Sequence, residues 1–276
     1  MSESRLKKVL VTVGTILMIT FCLSPFFWMI LISLTDNPGF LSDRIDLRIT
    51  LTNYTDLLVT KSLHFLDYLR NSLIVGGTVS VICGLIASLG AYAVSRLQFT
   101  GRVLLPLAIL ALSMFPQISI VGYLSKLAHS AGLINTHIVL ILPYIAWTIP
   151  LAFWILLSHM VRIPTELDDA GLVDGAGRFT IFRRLIMPVM APGLLSAILL
   201  VFIAAFNEFL FALMLTTDHN ARTIPVGIAL FEGLHGEIPW GYIMAASSIA
   251  SLPLVGISLY FQQYIIRDVT RGALKG

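Results

Sequence analysis

The sequence predicts an all-α membrane protein of six transmembrane helices with both ends of the chain in the cytoplasm. Three observations carry this. Of its 276 residues, 57% are hydrophobic and 12% charged, about half the charged fraction of a soluble domain, and mean hydropathy is +0.89. The apolar residues gather in long charge-free stretches, and Lys and Arg divide unevenly between the loops joining them. Too little polar surface remains to cover a water-soluble core. A net charge of only +3, with aromatics inside apolar runs, excludes a disordered chain and a nucleic-acid binder.

A membrane helix needs about 20 mostly apolar residues to cross about 30 Å of hydrocarbon. Charge-free stretches lie between Lys8 and Asp36, Arg70 and Arg96, and Arg102 and Lys126, giving spans at 9–34, 72–95 and 103–125. A fourth span is expected at 138–157, a fifth at 193–215 interrupted only by Glu208, and a sixth at 242–266. Arg5, Lys7 and Lys8 precede the first stretch as in a secretory signal. That stretch is longer than the roughly 7–15 residues of a signal core and lacks a small-x-small cleavage site, so it reads as a retained helix. With six spans, the side holding both termini carries twelve Lys and Arg and the other side six, which places the termini in the cytoplasm. The loop of about 160–190 is then cytoplasmic, and the segments 36–70, 126–137 and 216–241 lie outside.

Pro106 and Pro116 in the third span, with Pro143 and Pro150 in the fourth, mark breaks tolerated where protein or a water-lined cavity satisfies the freed backbone groups. Gly76, Ser80, Gly84 and Ser88 form a small-residue stripe expected to admit another helix closely. Cys22 and Cys83, without a CxxC spacing or a nearby His, read as small buried hydrophobes. The chain has no GxxxxGK[ST] loop, no HExxH pair and no GxSxG elbow, so neither a nucleotide site, a metal site nor a serine nucleophile is indicated. Uphill transport by this chain would draw its energy from an ion gradient or from another subunit.

The loop from Arg162 to Pro188 carries the most information. Thr165 and Asp168 have the spacing of a capping box, with Asp for the usual Glu or Gln. Glu166, Asp168 and Asp169 suit the positive end of a helix, which Gly175 and Gly177 stop after about two turns. A second, amphipathic helix is expected to place Phe179, Phe182, Leu185 and Ile186 on one face and Arg183 and Arg184 on another. Two readings fit: an interfacial elbow joining two spans, or an acidic helix with an apolar seam (Leu167, Ala170, Val173) that plugs a partner's groove.

This segment resembles the EAA loop of ABC-importer permeases, in which EAA is followed after three residues by Gly and, nine residues later, by I-x-L-P. Asp169-Ala170-Gly171 stands for EAA, Gly175 for the Gly, and Leu185 to Pro188 for I-x-L-P, with both spacings kept. Gly171 departs from the family's Ala and weakens a helix by about 1 kcal/mol. The segments Ala91 to Arg102, Phe206 to Leu210 and Thr270 to Gly276 are similar to the carbohydrate, MalG-like branch.

The resemblance implies a non-catalytic permease subunit of an ATP-driven carbohydrate importer in a bacterial or archaeal cytoplasmic membrane. Its implied partners are a second, MalF-like permease, a homodimeric ATPase that carries the ATP and Mg, and an extracytoplasmic sugar-binding protein. No cofactor or metal is implied for this chain, whose only other surroundings would be membrane lipid. Glu166, Leu167, Asp169, Ala170, Gly171, Asp174 and Gly175 would form the coupling helix in an ATPase cleft, with Asp169 in the place of the family's Glu. The tail, with Thr270, Gly272, Lys275 and Gly276, would reach the ATPase interface. The outer segment with Gly233, Leu234, His235 and Gly236 would touch the binding protein, although a plain surface loop fits those residues equally.

Glu208 is the one charged residue well inside an expected span, about 10 Å from its outer end at 1.5 Å per residue. Such a carboxylate should face a polar cavity or a partner. With Asn207 it would line the translocation path and meet sugar hydroxyls, or it would hold two permeases together. The alternative function is a secondary transporter that uses Glu208 for proton coupling.

Overall fold

A computed structural model describes residues 3–35, 49–60, 63–231 and 238–273, with side chains from 7 to 261. Among the described residues the regular structure is helical apart from one isolated antiparallel bridge between Thr35 and Ile49, and the chain divides into two compact units.

The first unit holds residues 1–65 and 228–252. Helix α1 (Glu3–Ser33) is apolar on every side and exposed along almost its whole length, with Phe21 80% accessible. That is the surface of a helix meant for lipid or another chain. Cys22 is exposed on it, contrary to the expectation of a buried thiol. Polar side chains secure the C-terminal end of α1. Asn53, on α2 (Thr52–Val59), donates to the carbonyls of Ser33 (2.9 Å) and Thr35 (3.1 Å). The carbonyls left without intrahelical partners at a helix end are satisfied in this way. Ser33 Oγ and Tyr54 Oη lie 2.6 Å apart, and the Tyr242 hydroxyl donates to Asp56 at 2.8 Å.

The second unit holds residues 66–227 and 253–276. Helix α3 (Phe65–Arg96) carries the small-residue stripe, and the stripe is an approach surface. A Cβ at Gly76 would lie 3.2 Å from the Phe202 ring, and one at Gly84 would lie 2.8 Å from Ile198 Cγ1. Ser80 and Ser88 are buried, their hydroxyls donating to Gly77 and Leu85 of the same helix. Cys83, between them, is buried beside Thr148.

The expected third span is two helices, α4 (Leu104–Ser113) and α5 (Ile118–Ser130), bent by 88°. Pro116 sits at the bend. A proline offers no N–H and drives the residue before it out of the helical region, so the helix stops there. Helix α6 (His137–Met160) begins where Thr136 accepts from the Val139 N–H and contains Pro143 and Pro150.

After α6 the chain forms α7 (Glu166–Val173), α8 (Arg178–Ile181), a π turn (Phe182–Ile186) and α9 (Met187–Phe206). The helical run Arg178–Phe206 thus begins 15 residues before the expected fifth span. It ends at Asn207, and α10 (Leu210–Leu215) follows after a break. Next come α11 (Ile224–Ala229) and α12 (Trp240–Ala273), which extends the expected sixth span at both ends. By length and hydropathy, five described helices are long enough to cross a membrane, six if the bent pair counts as one.

Helices α6 and α9 form the centre of this unit, and their Phe153, Leu156, Met160, Met190, Ala197 and Val201 are buried in its core. Near the start of α3, the Asn71 amide donates to the carbonyls of His219 and Arg222 and pairs with His137 at 2.8 Å. It thereby ties α3, α6 and the segment before α11 together.

Candidate functional site

The loop 160–190 is built around a glycine-terminated helix. Gly175 has φ +77°, and its N–H bonds to Leu172 O while the Ala176 N–H bonds to Gly171 O. This pair of bonds defines the Schellman stop, which requires a left-handed residue and so favours glycine at 175. The start of α7 differs from expectation. Thr165 has helical φ and ψ and makes no side-chain cap bond. Asp168, cast as its capping-box partner, is 2% exposed and turned inward.

The outward side of α7 carries Glu166, Asp169, Ala170 and Val173, with Asp174 just beyond. Val173 is 88% exposed, so the seam expected from Leu167, Ala170 and Val173 is divided: Leu167 packs against the core while the other two face outward. Three carboxylates and an exposed valine on one helical face suit a basic, partly apolar groove.

Asp168 is held from two directions. Tyr92 Oη donates to Oδ1 at 2.9 Å and Arg96 Nε to Oδ2 at 3.0 Å, while Arg96 Nη2 donates to the carbonyl of Ile163. The side chains of Arg96 and Asp168 are 6% and 4% exposed. Tyr92 also packs its ring on Phe182, with centroids 5.2 Å apart. Sequence reasoning missed this cluster. The available signal was Tyr92 and Arg96 four residues apart, on one face of a helix.

Gly171 is buried, and its role inverts the propensity argument. A Cβ there would come within 2.8 Å of Ile181 Cγ1 and 3.1 Å of Leu185 Cδ1. The missing side chain lets α8 and the π turn close onto α7. Gly171→Ala gains about 1 kcal/mol of helix propensity but overpacks against a fully buried isoleucine, typically costing about 1–3 kcal/mol. The expected outcome is a lower midpoint of thermal unfolding in detergent. Combining it with Ile181→Ala should give a loss smaller than the sum of the single losses.

The face predicted for the second helix also shifts. Ile181, Phe182 and Ile186 are buried, whereas Phe179 is 69% exposed and Leu185 lies at the edge. The π turn explains this, because one extra residue per turn moves the buried stripe off the period of 3.6.

Glu208 lies in the break between α9 and α10, 4% exposed. Its carboxylate accepts from the N–H groups of Phe211 (2.8 Å) and Ala212 (3.2 Å), capping α10. The carboxylate therefore satisfies donors of its own chain that the break would otherwise leave bare in a membrane. Asn207 is exposed, and its amide donates to Ile203 O at 2.8 Å. Gly233, Leu234, His235 and Gly236 lie outside the described residues, as do Lys275 and Gly276. Thr270 and Gly272 fall in the backbone of α12.

The family model "Binding-protein-dependent transport system inner membrane component" matches residues 1–271. The chain is 53% identical over 277 residues, covering all of both chains, to the trehalose/maltose transport system permease protein MalG of Thermococcus litoralis. It is 38% identical over 262 residues, 94% of this chain and 95% of the other, to the trehalose transport system permease protein SugB of Mycobacterium tuberculosis. In fold it is similar to a crystal structure of a bacterial ABC transporter involved in importing the acidic polysaccharide alginate. That match has a TM-score of 0.76 and 17% identity over 96% of this chain and 98% of the other. A second alginate transporter structure, in complex with an alginate pentasaccharide-bound periplasmic protein, matches with a TM-score of 0.69 and 14% identity over 93% and 92%.

Proposed function

The chain belongs to the family of inner membrane components of binding-protein-dependent transport systems, and from that premise we propose how its parts divide the work of import. It is a multi-pass inner membrane protein, the permease subunit of an ABC carbohydrate importer. Its solute is a glucose disaccharide of the trehalose and maltose class, a reading supported by the names of the two relatives. The chain supplies half of a translocation path whose other half is a second, MalF-like permease.

The observation that carries the coupling role is the acidic face of α7, with Glu166, Asp169 and Asp174 exposed just before a rigid glycine stop. That face seats in a basic cleft of one subunit of a homodimeric ATPase, where ATP and Mg bind. Leu167, Gly171 and Gly175 shape the helix from behind, and Ala170 permits close seating. Both termini lie in the cytoplasm with this loop. The tail from Thr270 to Gly276 reaches the ATPase pair, and the segment with Gly233, Leu234, His235 and Gly236 meets the sugar-binding protein on the other side. ATP drives the cycle only if closure of the ATPase dimer favours one permease conformation over the other.

Purification from the native host in mild detergent, followed by mass spectrometry of the co-purifying chains, tests this reading. An ATPase with a phosphate-binding loop and a second permease are the expected companions. Recovery of the chain alone, under conditions that preserve a known ABC complex, would overturn it. Uptake of radiolabelled trehalose and maltose by the reconstituted complex tests the solute class, and indifference to both would exclude it.

A further inference from the structure

The motif running from Ala91 to Arg102 makes a deeply buried ionic contact with the loop. Arg96 reaches from the last turn of α3 to two points of the loop at once, the Asp168 carboxylate and the Ile163 carbonyl. Tyr92, one turn earlier, holds the other carboxylate oxygen and rests its ring on Phe182 of the π turn. One end of one helix is thus fastened to the chain before α7, to α7 itself and to the run that leads into α9. On α7 Asp168 and Gly171 are buried while Glu166, Asp169 and Ala170 are exposed, so the face turned away from the acidic surface is the one attached.

A buried ion pair adds little stability over an apolar replacement of similar shape, but it fixes geometry, since neither charge tolerates losing its partner. The guanidinium presents a planar fork, and Nε and Nη2 are both used here, which blocks rotation as well as separation. A hydrophobic contact at this point would let α7 slide; this one does not.

We infer that Asp168, Tyr92 and Arg96 are positioning residues that make α7 and the C-terminal end of α3 one rigid lever, so that a push on the acidic helix moves the membrane helix with it. The inference rests on the docking reading above and adds the route by which the push enters the membrane. With the lever cut, the ATPase still docks and hydrolyses ATP, but solute import no longer follows.

The test uses the full importer, carrying the ATPase and second permease that co-purify, in proteoliposomes. Asp168→Asn and Arg96→Gln should keep the ATPase bound while solute imported per ATP falls about tenfold, within the range that network residues exert on coupling. Arg96→Lys, which keeps the charge but loses the fork, should fall between these and the unmodified protein. Import per ATP within twofold of the unmodified complex, with ATPase still bound, would overturn the lever. Failure of the docking reading looks different, because the ATPase would then be missing from the unmodified complex.

A direct measurement guards against variants that do not assemble. Spin labels at Leu172→Cys, off the docking face, and Gln98→Cys, with Cys22 and Cys83 replaced by alanine, report the separation of α7 from the end of α3 with and without ATP. Otherwise unmodified protein should keep one distance in both states, while Tyr92→Phe, which removes only a hydroxyl, should broaden it. A nucleotide-dependent change already present with Tyr92 and Arg96 intact would show that the two elements move independently, and the lever would fall.

Discussion

Asp169→Lys is expected to abolish solute uptake while leaving the protein at its normal level in the membrane. Asp169 is exposed on α7, so reversing its charge breaks no internal contact and leaves the fold intact. Against a basic cleft, the change replaces an attraction with a like-charge contact. Losing a charged partner across an interface costs about 2–5 kcal/mol, and 1.4 kcal/mol is a factor of ten, so ATPase affinity should drop about thirty-fold or more. The measurement is paired: membrane content by immunoblot, and ATPase retained on affinity purification. Normal uptake in this variant would remove α7 from the coupling role. Neighbouring Asp168 offers the contrast, since it lies 2% exposed on the opposite face and its loss should leave docking in place.

Glu208→Ala is expected to damage the protein far more than Glu208→Gln. Alanine strips the acceptor from two N–H groups at the start of α10, and each buried polar group left unsatisfied costs about 1–3 kcal/mol. The combined loss, about 2–6 kcal/mol, is a large share of the roughly 5–15 kcal/mol by which most domains are stable. Glutamine keeps a carbonyl oxygen of similar reach and so preserves one bond. Thermal unfolding in detergent should show a large drop for alanine and a small one for glutamine, and ATP-driven uptake in the glutamine variant should stay within a few-fold of normal. Loss of uptake in Glu208→Gln at unchanged stability would mean that the charge itself acts in transport, as proton coupling requires.

These residues also mark how far the sequence could be read. Long apolar stretches predict most of the helices because burial in lipid demands internal hydrogen bonding, which leaves the helix as the main solution. The turn at Gly175 was equally legible, since a left-handed stop favours glycine. The break at Pro116 was visible as a proline but not as an 88° bend, because the angle depends on what α4 and α5 pack against. The capping box at Thr165 failed because two distant donors outcompeted a local one for Asp168. Spacing along a chain does not reveal a partner 72 residues away. The same limit applies to Glu208, which in an unbroken span would have to meet solute or a neighbouring subunit. Once α9 ends at Phe206, the nearest donors in need of an acceptor are its own.

The π turn at Phe182–Ile186 has a further consequence. At 3.6 residues per turn, each residue advances a helix by about 100°. One surplus residue therefore sets the phase of Arg178–Ile181 about 100° away from where the membrane part of the run would place it. The two ends of this helix are indexed separately, the far end to α3 and α6, the near end to the glycine at 171. Removing a single residue between 182 and 186 would re-phase the near end alone, swinging Ile181 out of the hollow at Gly171 while α9 kept its seat.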